Sequence, residues 1–230
     1  MSIDPDALAK SVARLEGVDP ADTGLDAALE LAVLETDDVF DVDGAGLMLV
    51  GEDGTLRYVS ASDEPGHMLE HLQEQFGEGP CVDAFLADTV VKAHDMGADR
   101  RWPSVGPLAA RHGVHAVMGV PIDLPEGPVG TLNVYAARPH PWDDDEVAAI
   151  QAYTRVIASL LRAAARAHLS GAAATQLQHA LDHRVLVEQA KGVLMERRGL
   201  DQQAAFDLLR SRARSTRRPL QEVAREVVGP

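Results

Sequence analysis

From Leu25 the apolar residues Leu25, Ala28, Leu29, Ala32 and Val33 recur every three to four positions; beyond Gly44 that period gives way to short apolar blocks. Gly46 to Val50 and Leu56 to Ala61 have strand length and flank the polar turn Gly51-Glu52-Asp53-Gly54. This change of period predicts one opening helix and then a β-hairpin. A second helix is expected over Gly66 to Phe76, followed by a turn at Gly77, Gly79 and Pro80 and a short helical piece containing Cys81. Thr89 to Ala93 reads as a strand and Arg101 to His112 as a helix with Pro103 in its first turn. Two further strands are expected, Val114 to Asp123 and Val129 to Ala136, separated by Leu124-Pro125-Glu126-Gly127. Helices and strands thus interleave in an α+β unit, a sheet flanked by helices. Residues 1–24, acidic and broken by Pro5, Gly17, Pro20 and Gly24, read as an N-terminal arm or short leading helix.

The next helix opens with Asp143-Asp144-Asp145-Glu146, where carboxylates favour the positive end of the helix dipole. Val147, Ile150, Thr154, Ile157, Leu161 and Ala164 then alternate threes and fours, the spacing of a coiled-coil seam. The spacing predicts a helical connector over 143–176 through which two copies pair; packing of the stripe on the sheet is the alternative. Gly171 and the alanines after it mark a joint.

Charge divides the chain at the same place. The net charge is −15, but residues 1–176 carry 29 acidic and 11 basic side chains, whereas residues 177–230 carry 7 acidic and 10 basic. An anionic body repels phosphates, so any nucleic-acid contact belongs to the C-terminal part. A single cysteine, a start lacking a basic-then-apolar signal, and apolar runs too short to span a bilayer point to a cytoplasmic chain without membrane contact.

Within 177–230, Leu177, Leu181, Val187, Ala190 and Leu194 lie on one side of a helical pattern that stops at Gly199. Asp201 can cap a second helix running to about Arg214, with Ala204, Ala205, Leu208 and Leu209 inward. Pro219 begins a third, edged by Leu220, Val223 and Val227. The result is an all-α three-helix bundle whose other residues include many cations. The run HRVLVEQAKGVLMERRGLDQQAAFDLLRSRARSTRRPLQEVAREVV resembles an ANTAR domain, the RNA-binding output module of bacterial antitermination regulators. The resemblance implies a partner of structured RNA, hairpins in nascent transcripts whose capture prevents a terminator from forming. Lys191, Arg210, Arg214 and Arg217 are the expected RNA contacts, with Arg184 and Arg198 behind them. Gly192 allows either close approach of RNA or helix packing.

The preceding element order, with the segments GEGPC, ADRRWPSV, GVHAVMGVPI and GTLNVYAARP, resembles a GAF domain over 25–142. That implies a sensory fold with a ligand cavity between the sheet and the loops carrying Cys81 and Asp95 to Trp102. The ligand and any cofactor stay unknown, because the residue signature of cyclic-nucleotide-binding GAF domains is not apparent. Cys81 reads as a small buried residue or as a redox or thioether thiol lowered by its helix start, and Trp102 as a structural anchor or a pocket wall. His67 and His71, with Glu70 and Glu74, read as a solvated helix face rather than a metal site, as do His179 and His183.

No phosphate-cradling loop, serine elbow or paired-cysteine site is present, so no catalytic residue is expected. The reading is a signal-responsive RNA-binding antitermination regulator. The alternative is a small-molecule or redox-sensing protein whose helical C-terminus contacts protein partners or DNA.

Overall fold

The computed structural model describes residues 5–51, 55–125, 127–166, 186–216, 218 and 220–229. Helices α1 (Pro5–Glu16), α2 (Pro20–Thr23) and α3 (Leu25–Phe40) lead into the hairpin β1 (Gly44–Val50) and β2 (Leu56–Ala61). Then come α4 (Glu64–Phe76), α5 (Pro80–Ala87), β3 (Val91–Ala93), α6 (Gly106–Arg111), β4 (Ala116–Leu124), β5 (Gly127–Ala136) and α7 (Asp144–Arg166). The five strands form one antiparallel sheet in the order β2-β1-β5-β4-β3. Residues 52–54 and 126, within the expected turns, lie outside the described residues.

Alternation along β1 and β5 sorts their side chains onto two faces. Leu47 and Leu49 share one face with Leu132 and Val134 of β5, and α3 and α7 cover it. On the other face, Gly44 pairs with Tyr135, Gly46 with Asn133 and Met48 with Thr131, and α4 and α5 lie there. Glycine lets these helices come close. A Cβ at Gly46 would stand 2.2 Å from Glu70 Oε1, and one at Gly119 of β4 would stand 3.1 Å from Cys81 Cα.

The helix starts follow local chemistry. Asp63 caps α4 by accepting from Gly66 N at 2.9 Å. At α7, Glu146 N donates to Asp143 Oδ1 (2.9 Å) while Asp143 N donates to Glu146 Oε2 (2.8 Å), a reciprocal capping box. The leading segment is helical and packed: Leu15 of α1 is buried in the core, and α1 lies against both α3 and α7.

Two expectations are corrected. The helix expected from Arg101 begins only at Gly106, because the Glu78 carboxylate accepts from Ser104 N (2.6 Å) and Val105 N (2.9 Å) and holds that stretch as a turn. The stripe expected to pair two copies is instead spent within the domain. Ile150, Thr154, Ile157, Leu161 and Ala164 are buried and Val147 half-buried, against β4, α3 and α1. Tyr153 meets Phe40 of α3 edge-on at 5.1 Å, and its hydroxyl hydrogen-bonds Ser11 of α1. What α7 leaves exposed is Asp144, Asp145, Ala148, Gln151, Arg155, Ser159, Arg162, Ala165 and Arg166, too polar for a coiled-coil seam. Residues 167–176 of the expected connector lie outside the described residues.

The C-terminal unit has its own core. Helix α8, described over 186–198, α9 (Gln202–Thr216) and α10 (Leu220–Val228) bury Ala190, Leu194, Ala205, Leu209, Val223, Ala224 and Val227 together. Gly199 closes α8 with φ +62° and its N–H on Met195 O at 2.9 Å, and Asp201 caps α9 through Ala204 N at 2.7 Å. Leu177 and Leu181 lie outside the described residues. Among the described residues no helix is long and apolar enough to cross a membrane.

Candidate functional site

Beneath α4 and α5 the sheet carries a buried polar cluster. Helical periodicity places Gly66, Leu69, Glu70 and Gln73 on one face of α4, and all four are buried against the strands. Thr131 and Asn133 come from alternate positions of β5 and point to the same side. Asn133 Nδ2 donates to Glu70 Oε1, and Gln73 Nε2 lies 3.4 Å from Glu70 Oε2. Burial pushes the Glu70 carboxyl up to about 8, against the opposing hydrogen bonds from Asn133 and Gln73. At neutral pH it is therefore mainly a neutral acid with a proton to donate. Thr131 Oγ1 and Asn133 Oδ1 are buried with no hydrogen-bond partner among the described residues.

Cys81 closes one end of this cluster. It is fully buried at the start of α5; its N–H donates to Gln73 Oε1 and its Sγ accepts from Gln73 Nε2, both at 2.9 Å. Burial, and then the neighbouring Glu70, push its thiol well above its ordinary range. The lowering expected from a helix start is thus outweighed by desolvation.

Trp102 is fully buried, donates from Nε1 to Asp83 Oδ2 at 3.1 Å and carries the Arg101 guanidinium 4.1 Å above its ring. Its loop is braced from within. Asp95 accepts from Gly97 N, and Asp99, whose carboxyl is held below its usual range by hydrogen bonds from Arg101, ties that arginine down while Arg101 reaches Lys92 O at 2.6 Å. His67 and His71 pack against each other and Tyr58 at ring distances of 4.6 to 6.1 Å, and no cluster of three metal-ligating groups occurs among the described residues. His179 and His183 lie outside them.

Glu70, Gln73, Thr131 and Asn133 escape a reading by residue type, because a Glu on a His-rich helix looks solvated. The available signal was positional: Glu70 and Gln73 share a helix face with Leu69, and Thr131 and Asn133 alternate within an otherwise apolar strand.

On the C-terminal unit, Lys191 is nearly buried, with Nζ 2.8 Å from Glu188 Oε1 and 5.7 Å from the Phe206 ring centre. Arg198 is exposed near the end of α8. Arg197 donates to Val227 O at 3.3 Å, Arg212 pairs with Glu226, and Arg218 pairs with both Glu222 and Glu226. Arg210 and Arg214 fall on α9, but their side chains, like Arg184 and Arg217 altogether, lie outside the described residues.

Comparison with known proteins agrees with both halves. The model of the GAF domain matches residues 24–161, and that of the ANTAR domain residues 175–228. No protein of curated function matches the sequence. Among solved structures, the GAF domain of an Acinetobacter phosphoenolpyruvate-protein phosphotransferase superimposes with a TM-score of 0.57 at 15% identity, covering 71% of this chain and 95% of that one. The corresponding domain from Coxiella burnetii gives 0.57 at 17% identity over 71% and 96%. The free methionine-R-sulfoxide reductase of Neisseria meningitidis, solved with its substrate, gives 0.56 at 16% identity over 73% and 96%. At such identities these likenesses establish the fold alone. GAF domains sense signals, ANTAR domains bind RNA in antitermination, and the two together form a regulatory arrangement. The chain belongs to the GAF-domain family and carries a C-terminal ANTAR domain.

Proposed function

We propose that this chain is a signal-responsive RNA-binding regulator of transcription antitermination, acting in the cytoplasm on hairpins of nascent transcripts. The observation that carries the reading is the ANTAR match over 175–228, which coincides with the C-terminal part of the chain, where ten basic residues face seven acidic ones. Arg198 is exposed, whereas Lys191 is nearly buried and must leave Glu188 to reach a ligand; both, with Arg184, Arg210, Arg214 and Arg217, supply cations for RNA phosphates.

The sensory half offers a responsive site in the cluster of Glu70, Gln73, Cys81, Thr131 and Asn133, with Trp102 bracing the neighbouring loop. The other face of the same sheet carries α7. A ligand that repacks the cluster shifts β5 and β4, and with them α7, which leads toward the RNA-binding part. Differential affinity for the two packings sets the size of the response. Two copies, where they pair, meet through a surface other than the α7 stripe.

The test is binding of the full-length protein to RNA hairpins and to duplex DNA of equal length at two salt concentrations. Hairpin preference with log affinity falling linearly in log salt supports the reading. Equal binding to DNA, or none to either, moves the C-terminal unit to DNA or protein partners.

A further inference from the structure

Gly192 lies in the middle of α8, exposed, and glycine is the poorest helix former after proline. The fold does not require it: a Cβ built there meets nothing within 4 Å. Helix packing within the bundle therefore does not explain the residue. A groove of about 510 Å³ opens at this point, lined by Gln189, Gly192, Val193, Glu196 and Arg197 of α8 and by Val228 of α10. That volume is within the range of small-molecule sites.

The walls say what fits. Val193 and Val228 are apolar. Arg197 is steadied by its bond to Val227 O, so a planar guanidinium is held at the edge with N–H groups to spare. Gln189 offers a donor and an acceptor, and Glu196 acceptors only. Glu196 and Arg197 cancel in charge, so the groove is not built for phosphate, and a carboxylate there repels one. A carboxylate and an amide beside apolar surface and a guanidinium plane are instead the groups that read a base edge: acceptors take exocyclic amino groups, and the plane stacks on the ring.

We propose that this groove receives one unpaired base of an RNA loop, with Gly192 as its floor, Val193, Val228 and Arg197 against the ring, and Gln189 and Glu196 reading the edge. This rests on the RNA-binding reading above and adds to it a site of base discrimination separate from the phosphate-binding cations.

The experiment uses the full-length protein and RNA hairpins that share one stem and differ in a randomised loop, with a loopless RNA duplex as control. Wild type enriches a subset of loops defined at one position. Gly192→Leu, which fills the groove, weakens binding to those hairpins roughly tenfold or more, as expected for a lost base contact. Its affinity for the loopless duplex and its salt slope stay unchanged. Gly192→Ala, which helix propensity favours, gives a smaller loss in the same direction without lowering the melting temperature, and so guards against a Leu variant that folds poorly. Glu196→Gln changes which base is enriched. Unaltered loop preference and affinity in both Gly192 variants would overturn the proposal, as would an equal loss on duplex and hairpin. If wild type itself shows no salt-dependent hairpin binding, the RNA-binding reading falls and this inference with it.

Discussion

Gln73 grips Cys81 with both ends of its amide: the oxygen accepts from the Cys81 N–H and the nitrogen donates to Sγ, each at 2.9 Å. The start of α5 is thereby tied to α4 by a single buried side chain. Removing the amide leaves an unpaired N–H in a dry site, which costs about 1–3 kcal/mol. Gln73→Leu should lower the stability of the sensory unit by that amount in urea unfolding, whereas Gln73→Glu, which keeps an acceptor but adds a third acid beside Glu70 and Glu74, should be worse above neutral pH. A Leu variant as stable as wild type would show the two bonds to be dispensable.

The same cluster sets a pH dependence. With the Glu70 carboxyl raised to about 8 in the folded chain against 4.5 for a free one, both states hold the proton below the lower value. Between the two values the unfolded chain has lost its proton and the folded one has kept it, so stability falls as pH rises, with a slope of up to about 1.4 kcal/mol per unit from this group. Above the upper value the loss is complete. Glu70→Gln should flatten this segment of the stability curve. An equal slope in wild type and variant would assign the pH dependence to other groups.

Much of this architecture is legible in the sequence where one period or one cap decides the matter. Leu25, Ala28, Leu29, Ala32 and Val33 are all buried on α3, and Gly199 and Asp201 end and begin helices where such residues do. What escapes is decided by tertiary contact. The spacing from Val147 to Ala164 suits a partner helix and a sheet equally, and only β4 and α3 settle which face it meets. Pro103 permits a helix from Arg101, but the Glu78 carboxylate, distant in sequence, captures the Ser104 and Val105 N–H groups first. The polar cluster was hidden for the same reason, since burial of Glu70 follows from the rotation of α4 on the sheet and not from its neighbours in sequence.

The reassignment of the α7 stripe has a direct consequence. Ile157 is fully buried within one copy of the chain, so Ile157→Ala should cost about 2–5 kcal/mol through loss of packing. The loss should be the same at every protein concentration, because the contact is intramolecular. Oligomeric mass, followed by sedimentation, should not change with this variant. A midpoint that shifts with concentration in wild type and ceases to do so in the variant would restore the seam as an interface.

Burial also predicts the chemistry of the thiol. Cys81 has no exposed surface and its ionisation is disfavoured first by desolvation and then by Glu70, so a thiol-specific disulfide reagent should leave the native protein unmodified and react fully once it is unfolded. Rapid native reaction would mean that α5 opens often enough for Cys81 to serve as a sensor.

At the other end of the chain, Glu226 holds two arginines at once, with Arg212 at 3.1 Å and Arg218 at 2.6 Å, and Glu222 shares the second. Exposed pairs of this kind add little to folding, being solvated and screened by salt. They matter more for a phosphate-bearing partner, because each guanidinium must leave its carboxylate before it can contact an anion. Glu226→Gln releases both from one competitor and removes a negative charge from the same surface. The variant should bind RNA hairpins a few times more tightly than wild type at low salt, with a steeper dependence of log affinity on log salt and an unchanged melting temperature. If affinity and slope both stay as in wild type, Arg212 and Arg218 lie away from the RNA path, and the phosphate contacts belong to the α8 cations and to Arg210 and Arg214 instead.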